Sequence, residues 1–576
     1  MEVSSPRSTL RRWTEQLRNR EDQLTVVLSL VIGVLVGLMV VAFILLTGRL
    51  AAQMYPAGGA AWRRVVIPVI GALITGFLLS RYFPDARGSG IPQTKFAIFI
   101  NDGYISLKTI LGKFFLCSAS LASGIALGRE GPSVQIGAGI ASVLGRRFGL
   151  SKETVKALVP VGCSAALAAA FNTPIAAVLF SLEEILGDLH APVLGTVVIS
   201  SATSWIVLHL LLGDEPLFHV PAYRLVHPLE FGIYAILGVV GGLGSVCFVK
   251  LLLKLRTLFM RLPKSTQWFQ PVAGGLVVGL LGWFMPEVLG VGYDYVEQVL
   301  GGDFPLKTVA LLAALKIVAT ATCYSSGNAG GIFGPSLFIG AMMGGAVGSI
   351  AHALLPHQTA GPGAYALIGM GTAFAGIVRT PLTSVIMIFE LTRDYSIIVP
   401  LMISNLISFF ISYRLQREPI YEALALQEGV YLPTGESRRE LEEIRVGDVM
   451  QSTATPFPAD MDVLAARQRL TEIGQNAWLV GELNWLYGLV TLAKLEEIKN
   501  PYSTKLNQVV NPEDRFPYVY PDHPLSLALE RMGSAGTDTL PVVSRANRRR
   551  VQGIVTMADV LGAFGVNHEK GPKKPT

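Results

Sequence analysis

Two glutamates stand in long apolar stretches of this sequence, where an ionised carboxylate is costly and therefore points to a function. Glu130 lies inside the segment Gly128–Pro132, which reads GREGP, and Glu184 ends the apolar run that begins at Ile175. An ionised carboxylate competes with a small anion for the same hydrogen-bond donors, and it leaves them once it takes up a proton. We therefore expect Glu130 to be a gate and a proton carrier. Its alternative role is to stabilise a helix N-terminus.

The adjacent glutamates Glu183 and Glu184 lie where a helix would approach the membrane surface. In an internal repeat described below, Glu183 aligns with Glu390, whereas Glu184 aligns with Leu391. We expect the repeated Glu183 to have a structural role and the unrepeated Glu184 to be a port for protons. From spacing alone, a structural role for Glu184 stays equally open.

Three Gly-Pro motifs each precede an apolar segment of helical character: Gly88–Pro92 (GSGIP), Gly128–Pro132 (GREGP) and Gly331–Pro335 (GIFGP). Proline is tolerated in the first turn of a helix, and glycine lets the chain bend tightly into it. The free N–H groups and the positive dipole end of such a turn bind an anion without a cationic side chain. Binding of this kind is weak enough for the anion to leave again. The motifs therefore predict an anion site, to which Ser89 adds a hydroxyl donor; a helix kink is the alternative for any single motif.

The composition places these motifs in a membrane. Of the 576 residues, 51% are hydrophobic and 15% are charged, against about 25% charged in soluble proteins. The run Leu24–Gly48 has no charge and can cross a hydrocarbon core of about 30 Å. It is too long for a signal peptide, and its basic flank predicts a cytoplasmic N-terminus. The net charge of +6 is dispersed, so we expect no nucleic-acid partner.

Two blocks of the membrane part repeat in the same order. The segment from Lys113 matches the segment from Lys316 at an offset of 203, and Phe171–Glu184 matches Val378–Leu391 at an offset of 207. Repeated halves with helices broken by Gly and Pro are typical of transporters with a shared site near the midplane. The sequence leaves open whether the halves are parallel or inverted.

The motifs GSGIP, GREGP and GIFGP, followed by Pro419–Tyr421, resemble in order those of the CLC family of chloride channels and chloride/proton exchangers. The resemblance implies a homodimer in which each subunit carries its own anion pathway through an inverted repeat. It implies that Glu130 is the external gating glutamate and Glu184 the internal proton glutamate, which channel members replace with an apolar residue. The chloride-binding residues that it implies are Ser89, Gly90, Ile332, Phe333 and Tyr421.

The resemblance favours a secondary active chloride/proton antiporter, with a passive voltage- or pH-gated chloride channel as the alternative. Ser89 stands where nitrate-preferring members have Pro, which favours chloride, and Gly334 departs from a frequent Ala. A nucleotide sensor with a vestigial membrane part is a third hypothesis, against which the intact motifs speak. No Ser/His/Asp set, metal cluster or Walker loop is present, so we expect neither an enzyme nor a required cofactor.

After about residue 445 the sequence reads as two β-α units and resembles a tandem pair of CBS domains. Gly488–Thr491 in the first unit matches Gly553–Thr556 in the second at an offset of 65. The resemblance implies an adenine nucleotide bound by Gly553, Thr556 and Asp559 of the second unit. In the first unit Lys494 replaces the Asp, and a purely structural CBS pair is the alternative.

The predicted fold class is thus an all-α polytopic membrane domain with broken helices, followed by an α/β CBS-pair domain. The predicted location is the plasma or inner membrane of a cell, crossed several times, with both termini cytoplasmic. The predicted divisions are an N-terminal segment (1–23), a membrane domain (24–422) with halves at about 24–215 and 229–422, a linker (423–444), CBS domains at 445–500 and 501–567, and a disordered tail (568–576).

Overall fold

The structure is a computed structural model that describes residues 6–214, 216–220, 225–302, 304–430, 444–452, 455–482, 484–498, 500–512 and 516–563. The chain divides into two compact units, Met1–Leu432 and Pro433–Thr576. This division falls inside the linker predicted at 423–444, most of which lies outside the described residues. The tail predicted at 568–576 also lies outside them.

Seventeen α-helices are described in the first unit. They are α1 Pro6–Met54, α2 Arg63–Arg81, α3 Ile91–Phe99, α4 Leu107–Ala122, α5 Glu130–Arg147, α6 Lys152–Phe171, α7 Pro174–Phe180, α8 Leu194–Leu212, α9 Glu230–Met260, α10 Pro271–Phe284, α11 Tyr293–Gly301, α12 Leu306–Ser325, α13 Phe333–Leu354, α14 Pro362–Ile377, α15 Pro381–Thr392, α16 Ile398–Leu415 and α17 Ile420–Gln427.

Among the described residues, eight helical segments are long and apolar enough to cross a bilayer. The first is Gln23–Met54, which contains the predicted span Leu24–Gly48. Helices α3, α7 and α15 have only 9, 7 and 12 residues, whereas a full crossing needs about 20. The membrane unit therefore mixes complete and broken helices, as the sequence predicts.

The short helices α7 and α15 begin in the same way. Each starts at a proline, Pro174 or Pro381, and the residue two positions earlier has a left-handed backbone, with φ of 60° at Asn172 and 67° at Arg379. Proline suits the first helical turn because it lacks the N–H that would have no partner there. The two repeated Thr-Pro sequences thus produce two equivalent breaks in the chain.

A glutamate at or just beyond the end of each of these two helices caps the start of the other. Glu183 accepts hydrogen bonds from the backbone N–H groups of Leu382 (3.3 Å) and Thr383 (2.8 Å) in α15. Glu390 accepts them from Ile175 (2.9 Å) and Ala176 (2.6 Å) in α7. Because the end of each helix lies beside the start of the other, α7 and α15 are antiparallel. The halves of the duplication are therefore inverted, and the structural role expected for Glu183 is confirmed.

The larger helices repeat the same packing. A Cβ atom on Gly137 of α5 would lie 2.3 Å from the carbonyl oxygen of Gly162 in α6. A Cβ atom on Gly340 of α13 would lie 2.3 Å from that of Gly369 in α14. No side chain fits at such a distance, so glycine lets each helix pair approach backbone to backbone, as small residues do in membranes.

The second unit contains two antiparallel strand pairs, β1 with β2 and β3 with β4. The strands are β1 Ala477–Glu482, β2 Trp485–Thr491, β3 Thr539–Val543 and β4 Val551–Thr556. The helices are α18 Val446–Val449, α19 Val463–Ile473, α20 Leu492–Glu496, α21 Leu506–Val509, α22 Leu525–Ala535 and α23 Met557–Ala563. This confirms a small α/β domain after the membrane unit.

In each half of this domain, the first helix packs in the hydrophobic core of the other half. Val446 is buried in the core that contains Leu525 and Val555, and thus packs with the second half of the domain. Leu506 is buried with Val463 and Val490 in the core of the first. The domain boundary predicted between residues 500 and 501 stays a prediction. Residues on each side of it are buried in the core formed mainly by the other side.

Candidate anion site

The three Gly-Pro motifs meet at one place. The N–H of Gly128 donates to the carbonyl of Gly331 and the reverse bond is also formed, each at 2.7 Å. The N-cap of α3 is Gly90, whose φ of 103° disfavours any side chain. A Cβ atom on Gly90 would lie 2.3 Å from the carbonyl oxygen of Gly131. The first turns of α3, α5 and α13 are therefore brought together by close backbone contact.

Two hydroxyl groups lie at this meeting point. Ser89 and Tyr421 are both fully buried, and their side chains lie beside each other. Neither hydroxyl makes a hydrogen bond of ordinary geometry to another described protein group. Buried polar atoms are almost always paired, because an unpaired one costs about 1–3 kcal/mol. The two hydroxyls thus fit a site that binds an anion between them.

The start of α13 lies in a rigid aromatic setting. Ile332 is the N-cap and Phe333 the first helical residue, and both are buried. The Phe333 ring packs against those of Phe171 at 4.8 Å and Phe374 at 4.3 Å between centroids. These contacts hold the first N–H groups of α13 in a fixed direction, as the predicted chloride role of Ile332 and Phe333 requires.

Gly90 is placed in the same cluster, but its N–H group has a partner. It donates to Gln93 Oε1 at 2.8 Å. Of the five residues predicted to bind chloride, the structure therefore brings together two hydroxyls and the start of α13. Gly90 contributes the bend into α3, and its amide role stays a prediction.

Glu130 is fully buried and reaches the start of α13. Its Oε2 atom accepts from the N–H of Gly334 at 3.2 Å, and its Oε1 atom accepts from the Tyr293 hydroxyl. The Nε atom of Arg129 lies 3.8 Å from Oε1. A cavity of about 600 Å³ is lined by Arg129, Tyr293 and, at the end of α1, Tyr55. The carboxylate thus occupies donors that an anion would use, between the hydroxyl pair and this cavity.

Glu184 lies in a π-helical turn, Ser181–Leu186, that continues α7. Turns of this kind occur frequently at functional sites. Lys95 Nζ lies 2.9 Å from Glu184 Oε1 and 3.7 Å from Glu422 Oε1. The three side chains are 6%, 7% and 14% exposed for Lys95, Glu184 and Glu422. The buried Glu184 and the largely buried Glu422 thus share one ammonium group.

Sequence reasoning missed Lys95 and Glu422. Both could have been identified from their positions next to residues of the motifs. Lys95 is a charged residue three positions after Pro92, and Glu422 directly follows Tyr421. Sequence reasoning also missed Tyr293, which lies between Gly292 and Asp294 and belongs to none of the recognised motifs.

Two further buried cations, Lys113 and Lys316, were used only to align the repeats. Both are fully buried. Each Nζ donates to two backbone carbonyls of a loop that leads into a short helix: Ala86 (3.0 Å) and Gly88 (2.6 Å) for Lys113, and Val288 (3.0 Å) and Gly290 (2.7 Å) for Lys316. They tie equivalent loops of the two halves in the same manner.

A second cavity, of about 530 Å³, lies beside the loop that leads into α3. Its lining includes Arg87 and Gly88, which precede Ser89, together with Tyr324 and Arg256. Two guanidinium groups therefore line a cavity beside the loop that carries the Ser89 hydroxyl. The lining also contains Asp85 and Glu428, and Glu428 forms an ion pair with Arg256.

In the second unit, the structure brings Gly553, Thr556 and Asp559 together at the junction of β4 and α23. Asp559 Oδ2 accepts from the Thr556 N–H (2.8 Å) and hydroxyl (2.7 Å). Gln451 Nε2 donates to both oxygens of Asp559, at 2.9 and 3.1 Å. The carboxylate is therefore engaged within the unit.

Comparison with known families agrees with this geometry. Residues 70–413 match the voltage gated chloride channel family, and residues 508–565 match the CBS domain. The chain belongs to the CLC family of voltage gated chloride channels. The match covers more than half of the chain and includes the motifs from GSGIP to GIFGP.

Named relatives of this CLC protein include both channel and exchanger descriptions. A ClcB-like chloride channel protein of Ralstonia nicotianae is 33% identical over 364 residues, which are 62% of this chain and 85% of that protein. The H(+)/Cl(-) exchange transporter ClcA of Vibrio campbellii is 33% identical over 359 residues, which are 61% of this chain and 77% of that protein.

Solved structures show the same CLC fold. A slow cyanobacterial Cl-/H+ antiporter superposes with a TM-score of 0.65 at 27% identity, over 70% of this chain and 97% of that one. A eukaryotic CLC transporter superposes with a TM-score of 0.66 at 21% identity, over 94% of this chain and 98% of that one. The second match supports the fold alone, and its coverage extends into both units.

Proposed function

We propose that this protein is a secondary active antiporter that moves chloride across a membrane in exchange for protons. The observation that carries the proposal is the pair of buried carboxylates around one hydroxyl site. Tyr421 lies within electrostatic reach of both Glu130 and Glu184. A passive channel needs an anion path and a gate, and a second buried carboxylate on the far side of the site is what proton exchange adds.

The chloride ion would be held by the hydroxyls of Ser89 and Tyr421 and by the first N–H groups of α13, at Ile332 and Phe333. Gly90 shapes the loop that presents Ser89. None of these donors is a full positive charge, so the ion is bound weakly enough to move on.

Protons would pass between Glu184 and Glu130. When Glu130 is ionised it holds the donors of α13 and blocks the anion, and when it is protonated it no longer competes with chloride for them. Glu184 is the port on the other side, next to Lys95 and Glu422. The relatives named as exchange transporters and the 27% identical antiporter support this assignment. No cofactor and no catalysed reaction form part of the proposal.

We place the protein in a plasma or inner membrane, as a homodimer with cytoplasmic termini. The basic residues before the first span support this orientation. Tyr55, at the end of α1, lines the cavity of Arg129, so this cavity is external if the N-terminus is inside. Dimer formation is tested by the mass of the protein in detergent or by subunit counting in bilayers.

The decisive experiment uses liposomes that contain the purified full chain, an imposed chloride gradient and no proton gradient. We expect protons to move uphill, driven by chloride, and this movement to disappear in Glu184→Gln. The matched control is Glu153→Gln, which neutralises an exposed glutamate at the start of α6. Chloride flux without proton movement in the wild type would overturn the proposal and identify a channel.

For the C-terminal domain, we propose that an adenine nucleotide binds at Gly553, Thr556 and Asp559 in competition with Gln451. The CBS match over residues 508–565 supports this. Calorimetric titration of the full chain in detergent with ATP should show saturable binding, which Asp559→Ala abolishes. No binding at millimolar ATP would leave a structural CBS pair, the alternative raised by the sequence.

A further inference from the structure

Gly334 is the departure from the usual family motif noted in the sequence, and its surroundings explain it. A Cβ atom at residue 334 would lie 2.8 Å from the Tyr293 hydroxyl, 2.9 Å from Val291 Cγ1 and 3.0 Å from Glu130 Oε2. Real Cβ atoms essentially never come this close to another heavy atom. An alanine at this position therefore requires the Tyr293 hydroxyl and the Val291 side chain to move, and its methyl group presses on the Glu130 carboxylate.

The Tyr293 side chain has little freedom to move away from residue 334. It is the first residue of α11 and follows Gly292, whose φ of 85° turns the chain sharply. Its ring packs edge-on against Phe218 at 5.3 Å between centroids, and the Arg129 guanidinium lies 5.5 Å from the ring centre. The ring is thus held from two directions, with its hydroxyl donating to Glu130.

We propose that Tyr293 is a positioning residue that holds ionised Glu130 on the start of α13, and that Gly334 makes room for its hydroxyl. The inference rests on the proposed gating role of Glu130 and adds the group that retains the gate.

The chemistry follows from the donors around the carboxylate. Tyr293 donates from its hydroxyl and Gly334 from its backbone, while Arg129 stays at 3.8 Å. Hydrogen bonds to an ionised acceptor are roughly twice as strong as neutral ones. Protonation of Glu130 therefore weakens both bonds at once and releases the side chain. The tyrosine retains the ionised gate without adding a charge that would hold it permanently.

The other titratable groups close to Glu130 are Cys117 and Tyr421. Neither donates a described hydrogen bond to its carboxylate, and both are left unchanged by substitution of Tyr293. A shift in pH dependence on removal of the Tyr293 hydroxyl is thus assignable to that hydroxyl.

The test is Tyr293→Phe in liposomes, with chloride flux recorded against pH on the Glu130 side. Losing the hydroxyl removes a donor that stabilises ionised Glu130, so the gate is released at lower proton concentration. We expect the midpoint of the pH profile to rise by about one unit, with proton coupling retained. The matched control is Tyr295→Phe, which removes a hydroxyl from the same helix and cavity and should leave the midpoint unchanged.

A double-mutant cycle tests the part played by Gly334. Gly334→Ala should reduce flux severalfold in the wild type, because the new methyl group pushes against the hydroxyl and the carboxylate. The same change should cost clearly less in Tyr293→Phe, where the nearest atom is gone. Additive effects, or a Tyr293→Phe midpoint equal to that of the wild type, would overturn the inference. A wild type that moves chloride without protons would instead refute the proposed function, so the two failures are distinguishable.

Discussion

The two halves of the membrane unit share their framework and differ in their chemistry. Both halves have a buried lysine that ties a loop, a glutamate that caps the opposite short helix, and a glycine contact between paired helices. The positions proposed to carry anions and protons have no such repetition. In the alignment of the halves, Glu130 matches Phe333 and Glu184 matches Leu391. The loops held by the two lysines correspond at an offset of 202, since Gly88 is equivalent to Gly290, and there Ser89 matches Val291.

This difference shows what the duplication supplies. Inverted copies bring helix N-termini from both halves to one centre, which is the geometric requirement for an anion site. A directed exchange also needs different groups on its two sides, and those groups stand at positions where the two halves differ. Equivalent residues should therefore matter equally for stability, and unpaired residues should matter for transport.

The largest effect is expected from the unpaired Glu130. In Glu130→Ala, proton movement should fall more than tenfold, to the level of protein-free liposomes, because the carrier between the site and the outer cavity is lost. Chloride flux should persist and lose its dependence on pH. The measurement is simultaneous recording of chloride and internal pH in liposomes. Retained coupling in this variant would remove Glu130 from the proton path and weaken the contrast between the halves.

The buried lysines sharpen the comparison, because they are equivalent in structure but hold different loops. Lys113→Met should raise the chloride Kd about tenfold, since it frees the loop that presents Ser89 and removes a nearby positive charge. Lys316→Met should leave that Kd within about twofold, because its loop leads to Tyr293 instead. Chloride titration calorimetry in detergent checks both values. Equal weakening would mean that the lysines act by charge alone.

The reciprocal glutamates should behave alike. Glu183→Ala and Glu390→Ala each remove a carboxylate that accepts two N–H groups at a helix start, a loss of about 1–2 kcal/mol in the free energy of unfolding. We expect similar decreases in apparent melting temperature, slightly larger in Glu183→Ala because Glu183 also accepts from the Thr383 hydroxyl at 2.6 Å, with proton coupling intact in both. A loss of coupling in Glu183→Ala alone would give that residue a transport role and break the equivalence.

The smallest effect is expected at a surface ion pair of the first half. Lys152 and Lys156 each lie 2.8 Å from an Asp102 oxygen, and their hydrogen bonds lower the pKa of Asp102 from its usual 3.8 to about 2. A lowered carboxyl pKa stabilises the folded state above the usual value, and this contribution is lost as the pH falls toward the lowered one. The melting temperature of Asp102→Asn should thus lie slightly below that of the wild type from pH 8 to pH 5. The difference should shrink below pH 4, and a difference that grows on acidification would contradict the ion pair.

Much of the fold was predictable because its signals are local. Gly128–Pro132 and Gly331–Pro335 mark helix starts through the backbone preferences of Gly and Pro, and Leu24–Gly48 marks a span through its length and lack of charge. The candidate site was predictable as far as Ser89, Tyr421 and Glu130. The partners of Glu130 and Glu184 were not predictable, because contacts between residues far apart in the chain produce no local sequence pattern.

The sequence by itself determined the membrane class, the duplication, the helix starts and the family, because each of these depends on neighbouring residues or on the order of several motifs. Only the tertiary structure decided that the halves are inverted, since this depends on contacts between Glu183 and residues about 200 positions away. It also decided that Lys95 joins Glu184 across 89 positions and that Tyr293 reaches Glu130 across 163. Contacts at such separations follow from packing of whole helices, which no single stretch of sequence specifies.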